Sequence, residues 1–284
     1  MSHHTLVSAE ILFQHIHHPD WILFDARFSL ADAEAGEKAY RQGHLPGARY
    51  VHLNDDLSSP VRSYTGRHPL PNFSQLADKL GAWGVNHRSQ VVVYDDAGGA
   101  FAGRLWWLLR CMGHERVAVL DGGLKQWQRL GLPMTTHLPK LTPQAFRCYL
   151  DDSHWLSATQ VENGLASRSL RLIDARTPER FQGLQEPIDP VAGHVPKALN
   201  RPFQMNLDHQ GLFLPASELK AQFQALLGKH TPSEKVVHMC GSGVTACHNL
   251  LAMEVAGLKD SKLYAGSWSE WITNANRSVC CSAT

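Results

Sequence analysis

The sequence predicts two tandem α/β domains, each a mainly parallel sheet flanked by helices. One observation is the alternation of short apolar runs with stretches of helical periodicity, which makes parallel sheets. A second is that the same four blocks occur twice, in the same order. Trp-Ile-Leu-Phe-Asp-Ala-Arg at 21–27 is answered by Leu-Arg-Leu-Ile-Asp-Ala-Arg at 170–176. Gly-His-Leu-Pro-Gly-Ala at 43–48 is answered by Gly-His-Val-Pro-Lys-Ala at 193–198. Val-Val-Val-Tyr-Asp at 91–95 matches Val-Val-His-Met-Cys at 236–240, and Leu-Asp-Gly-Gly…Trp127 matches Tyr-Ala-Gly-Ser…Trp271. The third observation is spacing. Asp25 precedes His44 by 19 residues and Asp174 precedes His194 by 20; Asp95 precedes Trp127 by 32 and Cys240 precedes Trp271 by 31.

Taken in order, 21–25 and 91–94 read as buried strands, and Phe101, Leu105, Leu108 and Met112 mark a helix. The stretch from Leu132 to Leu156 has weak periodicity and carries Pro133, Pro139 and Pro143, as a stiffened linker does. This predicts an N-terminal domain over 1–132, a linker over 133–156 and a C-terminal domain over 157–284. In the second half, Val244, Cys247, Leu251, Val255 and Leu258 recur at helical steps, with Gly257 as the stop. Trp127 and Trp271 read as packing residues.

Composition bounds the function. The 284 residues carry a formal net charge of +1, which gives no general pull toward nucleic acid or an anionic membrane. No apolar run reaches membrane-spanning length, and the first ten residues lack a secretory or transit pattern. The six cysteines form no regular framework, so a reduced, cytoplasmic setting is expected. The 17 histidines include a cluster at His15, His17 and His18 without metal-ligand spacing, and no metal is expected.

The chemistry concentrates at Lys-Val-Val-His-Met-Cys-Gly-Ser-Gly-Val-Thr-Ala, 235–246. An apolar strand ends in Cys240, a Gly-x-Gly loop comes next, and a helix begins. Loop N–H groups and a helix N-terminus suit an anion such as a thiolate. Active sites of parallel sheets lie beyond the carboxyl ends of strands, where both Asp95 and Cys240 fall. The repeat then separates scaffold from chemistry. Asp25/Asp174, Arg27/Arg176 and His44/His194 occur in both halves and read as structural. Cys240, Ser242, Thr245 and Arg180 face Asp95, Ala97, Ala100 and Ala31, so only the second half carries a nucleophile, two hydroxyls and a cation.

With these motifs in view, the chain resembles the tandem-domain sulfurtransferases of the rhodanese family over about residues 7–276. Its loop, Cys-Gly-Ser-Gly-Val-Thr at 240–245, is similar to that of the family's 3-mercaptopyruvate-using branch; the thiosulfate-using branch typically carries Cys-Arg-Lys-Gly-Val-Thr. Arg-Phe-Gln-Gly at 180–183 fits the same branch, where the arginine binds the substrate carboxylate. The resemblance implies a catalytic second domain, an inactive first domain with Asp95 at the cysteine position, and no cofactor. It implies Cys240, Ser242 and Thr245 as catalytic residues, and Arg180 with Gly241, Gly243 and Val244 as the substrate-binding set. Sulfur would pass from 3-mercaptopyruvate through a Cys240 persulfide to a thiol, thioredoxin or cyanide. The family often adds a second arginine shortly after the first; here that stretch is Glu-Pro-Ile-Asp-Pro, 186–190, without one. Some members place a histidine near the cleft, and His68 is the candidate. The neutral pair Gly241-Ser242 predicts a loop without adjacent cations, and hence a preference for 3-mercaptopyruvate over thiosulfate.

Two alternatives keep the chemistry and change the partner: a thiosulfate sulfurtransferase, or a sulfur-relay or binding protein with weak catalysis. A cysteine phosphatase is disfavoured because the arginine it needs six residues after the cysteine is Ala246.

Overall fold

The computed structural model describes residues 2–281. The chain divides into two compact units. The first comprises residues up to Ser59, Leu70–Asp151 and His209–Phe213; the second comprises Pro60–Pro69, Asp152–Asp208 and the residues from Leu214 onward. The segment Pro60–Pro69 thus belongs in space to the second unit, although it lies within the first half of the sequence.

The first unit holds strands β1 (Leu6–Val7), β2 (Trp21–Asp25), β3 (Arg49–Tyr50), β4 (Gln90–Tyr94) and β5 (Val117–Leu120). They form one sheet in the order β1-β5-β4-β2-β3, with every pair parallel. The second unit holds β6 (Trp155–Leu156), β7 (Arg171–Asp174), β8 (Leu199–Asn200), β9 (Val236–Met239) and β10 (Lys262–Tyr264). Their order, β6-β10-β9-β7-β8, repeats the first sheet strand for strand, again all parallel. The central strands β4 and β9 are buried along their whole length, as β-branched runs covered on both faces must be. In each sheet, chain order reverses between β2 and β4, or β7 and β9. That is the switch point where such sheets present their sites.

The residues shared by the repeats build the same brace twice. Arg27 Nη2 donates to Asp25 at 2.7 Å and to the carbonyl of Gly43 at 2.7 Å; Arg176 Nη2 donates to Asp174 and to Gly193 at the same distances. The Asp-Ala-Arg strand end therefore clamps the Gly-His turn. In that turn His44 stacks on Tyr40 with centroids 4.0 Å apart, and His194 stacks on Phe181 at 3.9 Å. Trp127 donates its indole N–H to Pro133, and Trp271 donates to Ser278. These are packing and bracing contacts, as the duplication suggested. A buried pair of this kind adds little net stability, but removing one partner costs roughly 3–5 kcal/mol.

One periodicity reading was too narrow. The helix Ala246–Val255 is buried continuously from Ala246 to Met253, including His248 and Asn249. It packs on β9 and on helix Ala216–Leu227, so it has no solvent face to alternate with. Val255 and Leu258, expected on the apolar face, are only half-buried, and the chain leaves the helix at Gly257 with φ +73°.

Two buried histidines make stability pH-dependent. Burial pushes His238 down to about 3 and His114 down to about 4 from the ordinary 6.5. Between these values and 6.5 the unfolded chain binds protons that the folded chain does not. Stability is therefore full above about pH 6.5. It falls toward pH 4 at up to about 1.4 kcal/mol per pH unit for each histidine. Urea midpoints should drop from pH 7.5 to pH 5, with a flatter dependence in His114→Phe. A midpoint independent of pH over this range would contradict the assignment.

Candidate active site

Cys240 is the first residue beyond β9, and it is 2% exposed. Its peptide is held by the loop after β10: Ser267 Oγ accepts the Cys240 N–H at 3.1 Å, and Trp268 N–H donates to the Cys240 carbonyl at 3.0 Å. Ser267 sits in the left-handed region, φ +54°, where a non-glycine residue is uncommon. Its hydroxyl also donates to Tyr264 O at 2.9 Å, which helps to hold that conformation. The repeat counterpart is Gly123, so comparing the halves could have flagged Ser267; motif and periodicity alone missed it.

The loop curls around the sulfur. Gly243 N–H donates to Cys240 Sγ at 3.1 Å. Gly243 has φ +77°, and a Cβ there would collide with the Ala265 carbonyl, so this position requires glycine. Gly241 is constrained differently: a Cβ on it would lie 2.8 Å from Arg67 Nη2 and 3.5 Å from both terminal nitrogens of Arg180. Val244 is buried. Thr245 precedes the helix as its N-cap residue, but its hydroxyl makes no capping bond. Ser242, 5% exposed, shares a 2.7 Å hydrogen bond with His68 Nδ1. Residues 240–245 thus form one loop in which Gly243 N–H reaches the Cys240 sulfur, with Arg180 standing against Gly241 and His68 against Ser242.

The matching loop of the first unit shows what such a cradle does. Asp95 is fully buried, and its carboxylate accepts four backbone N–H groups, from Ala97, Gly99, Phe101 and Ala102, at 2.8–2.9 Å. Leu124 N–H donates to the Asp95 carbonyl at 2.8 Å, as Trp268 does to Cys240. In this half the anion is part of the chain and fills the cradle.

Arg180 is anchored by carboxylates in the stretch where the sequence shows only a missing arginine. Its Nε donates to Glu186 Oε1 at 3.0 Å, and its Nη2 donates to Asp189 Oδ2 at 3.0 Å. Glu186 also pairs with Arg176 at 3.3 Å and accepts the N–H groups of Ile188 and Asp189. Asp189 in turn pairs through Oδ1 with Arg67. The expectation of a loop without adjacent cations is thereby corrected. Gly241 and Ser242 are neutral, but two guanidinium groups press on Gly241, one of them from a segment far away in sequence. A Gly241→Arg change intended to add a cation would meet Arg67 instead. No group of three or more His, Cys, Asp or Glu among the described residues could hold a metal ion. No helix of the described residues is long and apolar enough to cross a membrane.

Fold and site together define a duplicated parallel α/β protein with one backbone cradle built around a cysteine and its twin closed by an aspartate. The rhodanese-like domain profile matches residues 8–130 and 157–274. The chain belongs to the rhodanese family. It is 47% identical over 98% of its length to a Pseudomonas aeruginosa protein named "Probable 3-mercaptopyruvate sulfurtransferase", covering 99% of that protein. It is 34% identical to the thiosulfate sulfurtransferase of Rattus norvegicus over 90% of this chain and 86% of that one. Among solved structures, SseA from Escherichia coli, described as a 3-mercaptopyruvate sulfotransferase, superposes with a TM-score of 0.81. It shares 31% identity, over 94% of this chain and all of that one.

Proposed function

We propose that this protein is a sulfurtransferase that takes sulfur from 3-mercaptopyruvate on to Cys240 and passes it to a thiol acceptor. The observation that carries the reading is a buried cysteine whose sulfur accepts the Gly243 N–H, on a loop flanked by the Ser242–His68 pair and by guanidinium groups beside Gly241. The Cys240 thiolate attacks the donor sulfur. The carbon–sulfur bond breaks with its electron pair on carbon, and the donor's thiol proton ends on that carbon. Thiolate and 3-mercaptopyruvate thus become persulfide and pyruvate, with charge and atoms conserved. Ser242 and Thr245 hydroxyls donate to the enolate oxygen as it develops, and His68 holds Ser242 in place for that role. The N–H groups along 241–245 hold the persulfide, as the first unit's loop holds a carboxylate. Arg180 binds the donor carboxylate. A small thiol, thioredoxin or cyanide can then take the outer sulfur; the acceptor site is the exposed end of the persulfide, and no cofactor enters the scheme. We place this chemistry in a reducing compartment such as the cytoplasm, where a thiol nucleophile and a thiol acceptor both persist.

Pyruvate release from 3-mercaptopyruvate should exceed thiocyanate formation from thiosulfate in kcat/KM, with cyanide as common acceptor. Arg180→Ala should lower kcat/KM for 3-mercaptopyruvate by roughly tenfold to 150-fold, the loss of one charge-assisted hydrogen bond. An unchanged value in a folded variant would move the carboxylate site elsewhere. The second reading is a thiosulfate sulfurtransferase, and the two arginines beside Gly241 favour it, because thiosulfate is a dianion. A wild-type preference for thiosulfate would establish that reading and overturn the first.

A further inference from the structure

The second unit carries a cavity of about 460 Å³ at the end of its sheet remote from Cys240. Two loops build it. One leaves the helix Ala158–Ala166 and enters β7; the other leaves the helix Ala216–Leu227 and enters β9. Lys235 precedes β9 and Cys240 follows it. The strand therefore separates cavity from nucleophile by roughly 16 Å, at about 3.3 Å per residue.

The charged lining is basic throughout. Arg168, Arg171, Lys229 and Lys235 line the cavity with His230, and no aspartate or glutamate does. All five are exposed, and no side chain among the described residues pairs with any of them. Arg171 is in register with Val236 on the neighbouring strand, so Arg171 and Lys235 enter the sheet side by side. Like charges set together without a counter-charge repel. Cations after a helix C-terminus complement its dipole, which accounts for Arg168 and Lys229 but not for Arg171 and Lys235. Arg168 carries a further cost: it holds φ +58°, a conformation that glycine usually supplies at the end of a helix.

The first unit has the twin of this cavity, about 530 Å³, at the same end of its sheet. There Pro19, Ile22 and Gln90 stand at the positions of Arg168, Arg171 and Lys235, and Asp20 lies in the lining. Its Arg49 gives its guanidinium to the carbonyls of Trp83 and Gly47. The linker also covers part of it: a Cβ on Gly84 would lie 3.0 Å from the Thr142 carbonyl. The unpaired cations at these positions, like the nucleophile, are confined to the second half.

We propose that the cavity of the second unit binds a small anion carrying two or more phosphate groups, at a site separate from that of the sulfur donor. Its volume lies in the range of small-molecule sites. Guanidinium and ammonium groups are the usual partners of phosphate oxygens, and cations on two separate loops favour an anion with charge at both ends. The whole chain has a net charge of +1, so its cations are gathered locally, as a small ligand needs and a long nucleic acid or membrane surface does not. The proposal does not depend on which sulfur donor the protein uses.

The test is calorimetric titration of the full-length protein with inorganic triphosphate at a physiological ionic strength of about 0.15 M. One triphosphate should bind per chain and raise the urea midpoint, since it binds the folded state. Arg171→Gln combined with Lys235→Gln should weaken Kd by at least roughly tenfold, the loss of two charge-assisted contacts tempered by exposure. The same variant should transfer sulfur to cyanide as wild type does. Lys220→Gln combined with Lys259→Gln removes the same charge from exposed positions outside the cavity and should leave Kd unchanged. Arg180→Ala should bind triphosphate as wild type does. Equal weakening in both double variants would reduce the effect to net charge, and lost binding in Arg180→Ala would put the anion in the donor site; either result overturns the proposal. No binding by wild type, or binding of a single-stranded RNA oligomer without binding of triphosphate, overturns it as well.

Discussion

Cys240→Ser is expected to leave a folded protein without turnover. Serine is close in size, and Ser267 and Trp268 would still hold the residue's peptide. Its hydroxyl is not ionised near neutral pH and is a poor acceptor of sulfur. Losses of about four powers of ten or more accompany removal of a covalent nucleophile. Intact-mass measurement separates this outcome from a binding defect. Donor-treated wild type should gain one sulfur, about 32 Da, released by cyanide, and the variant should gain none. The competing thiol is Cys247, which lies in the first turn of the adjoining helix and donates to Gly243 O at 3.4 Å. A persulfide retained on Cys247 or Cys111 in the Cys240→Ser protein would end the assignment.

Asp95→Ala is expected to destabilise the first unit by roughly 3–5 kcal/mol. The change strips the partner from four N–H donors, those of Gly99 and Ala102 buried and those of Ala97 and Phe101 part-buried, and each unpaired buried donor costs on the order of 1–3 kcal/mol before the loop relaxes. Asp95→Asn should recover part of this, because the amide keeps one acceptor oxygen and turns an NH2 toward N–H groups. Urea unfolding should show the order wild type, Asn, Ala. Amide exchange at residues 97, 99, 101 and 102 should accelerate in both variants. Protection unchanged at these four amides in Asp95→Ala would mean that the loop is held by its backbone course alone. The same measurement bears on Cys240, because it reports how strongly this loop type holds an anion.

Much of the architecture was legible because it is written twice. Asp25 and Asp174, Arg27 and Arg176, and His44 and His194 appear at matched spacings, and the structure gives each pair the same bond or ring stack. The all-round burial of the helix Ala246–Val255 was not legible. Periodicity reports one apolar face, and a helix covered on every side has none to report. Ser267 was legible in principle, since its counterpart is a glycine, but a serine in a left-handed turn carries no local pattern of its own. Glu186 and Asp189 read as the lack of an arginine because sequence order gives the neighbours of Arg180 along the chain and not the groups that face it.

By itself, the sequence determined the duplicated α/β frame, the strand–loop–helix that presents Cys240, and the asymmetry that leaves Asp95 in one half and a thiol in the other. Each of these is local: strand periodicity, glycine in a tight loop and residue identity act over a few neighbouring positions. Tertiary structure alone decided that Arg67 and His68 stand beside Gly241 and Ser242, some 174 residues away in the case of His68 and Ser242. That meeting depends on where Pro60–Pro69 packs. Such packing is set by many weak contacts, among them the close approach of Gly66 to the Gly266 carbonyl and the bond from Arg67 N–H to Ser269 Oγ, and none of these leaves a periodic trace in the chain.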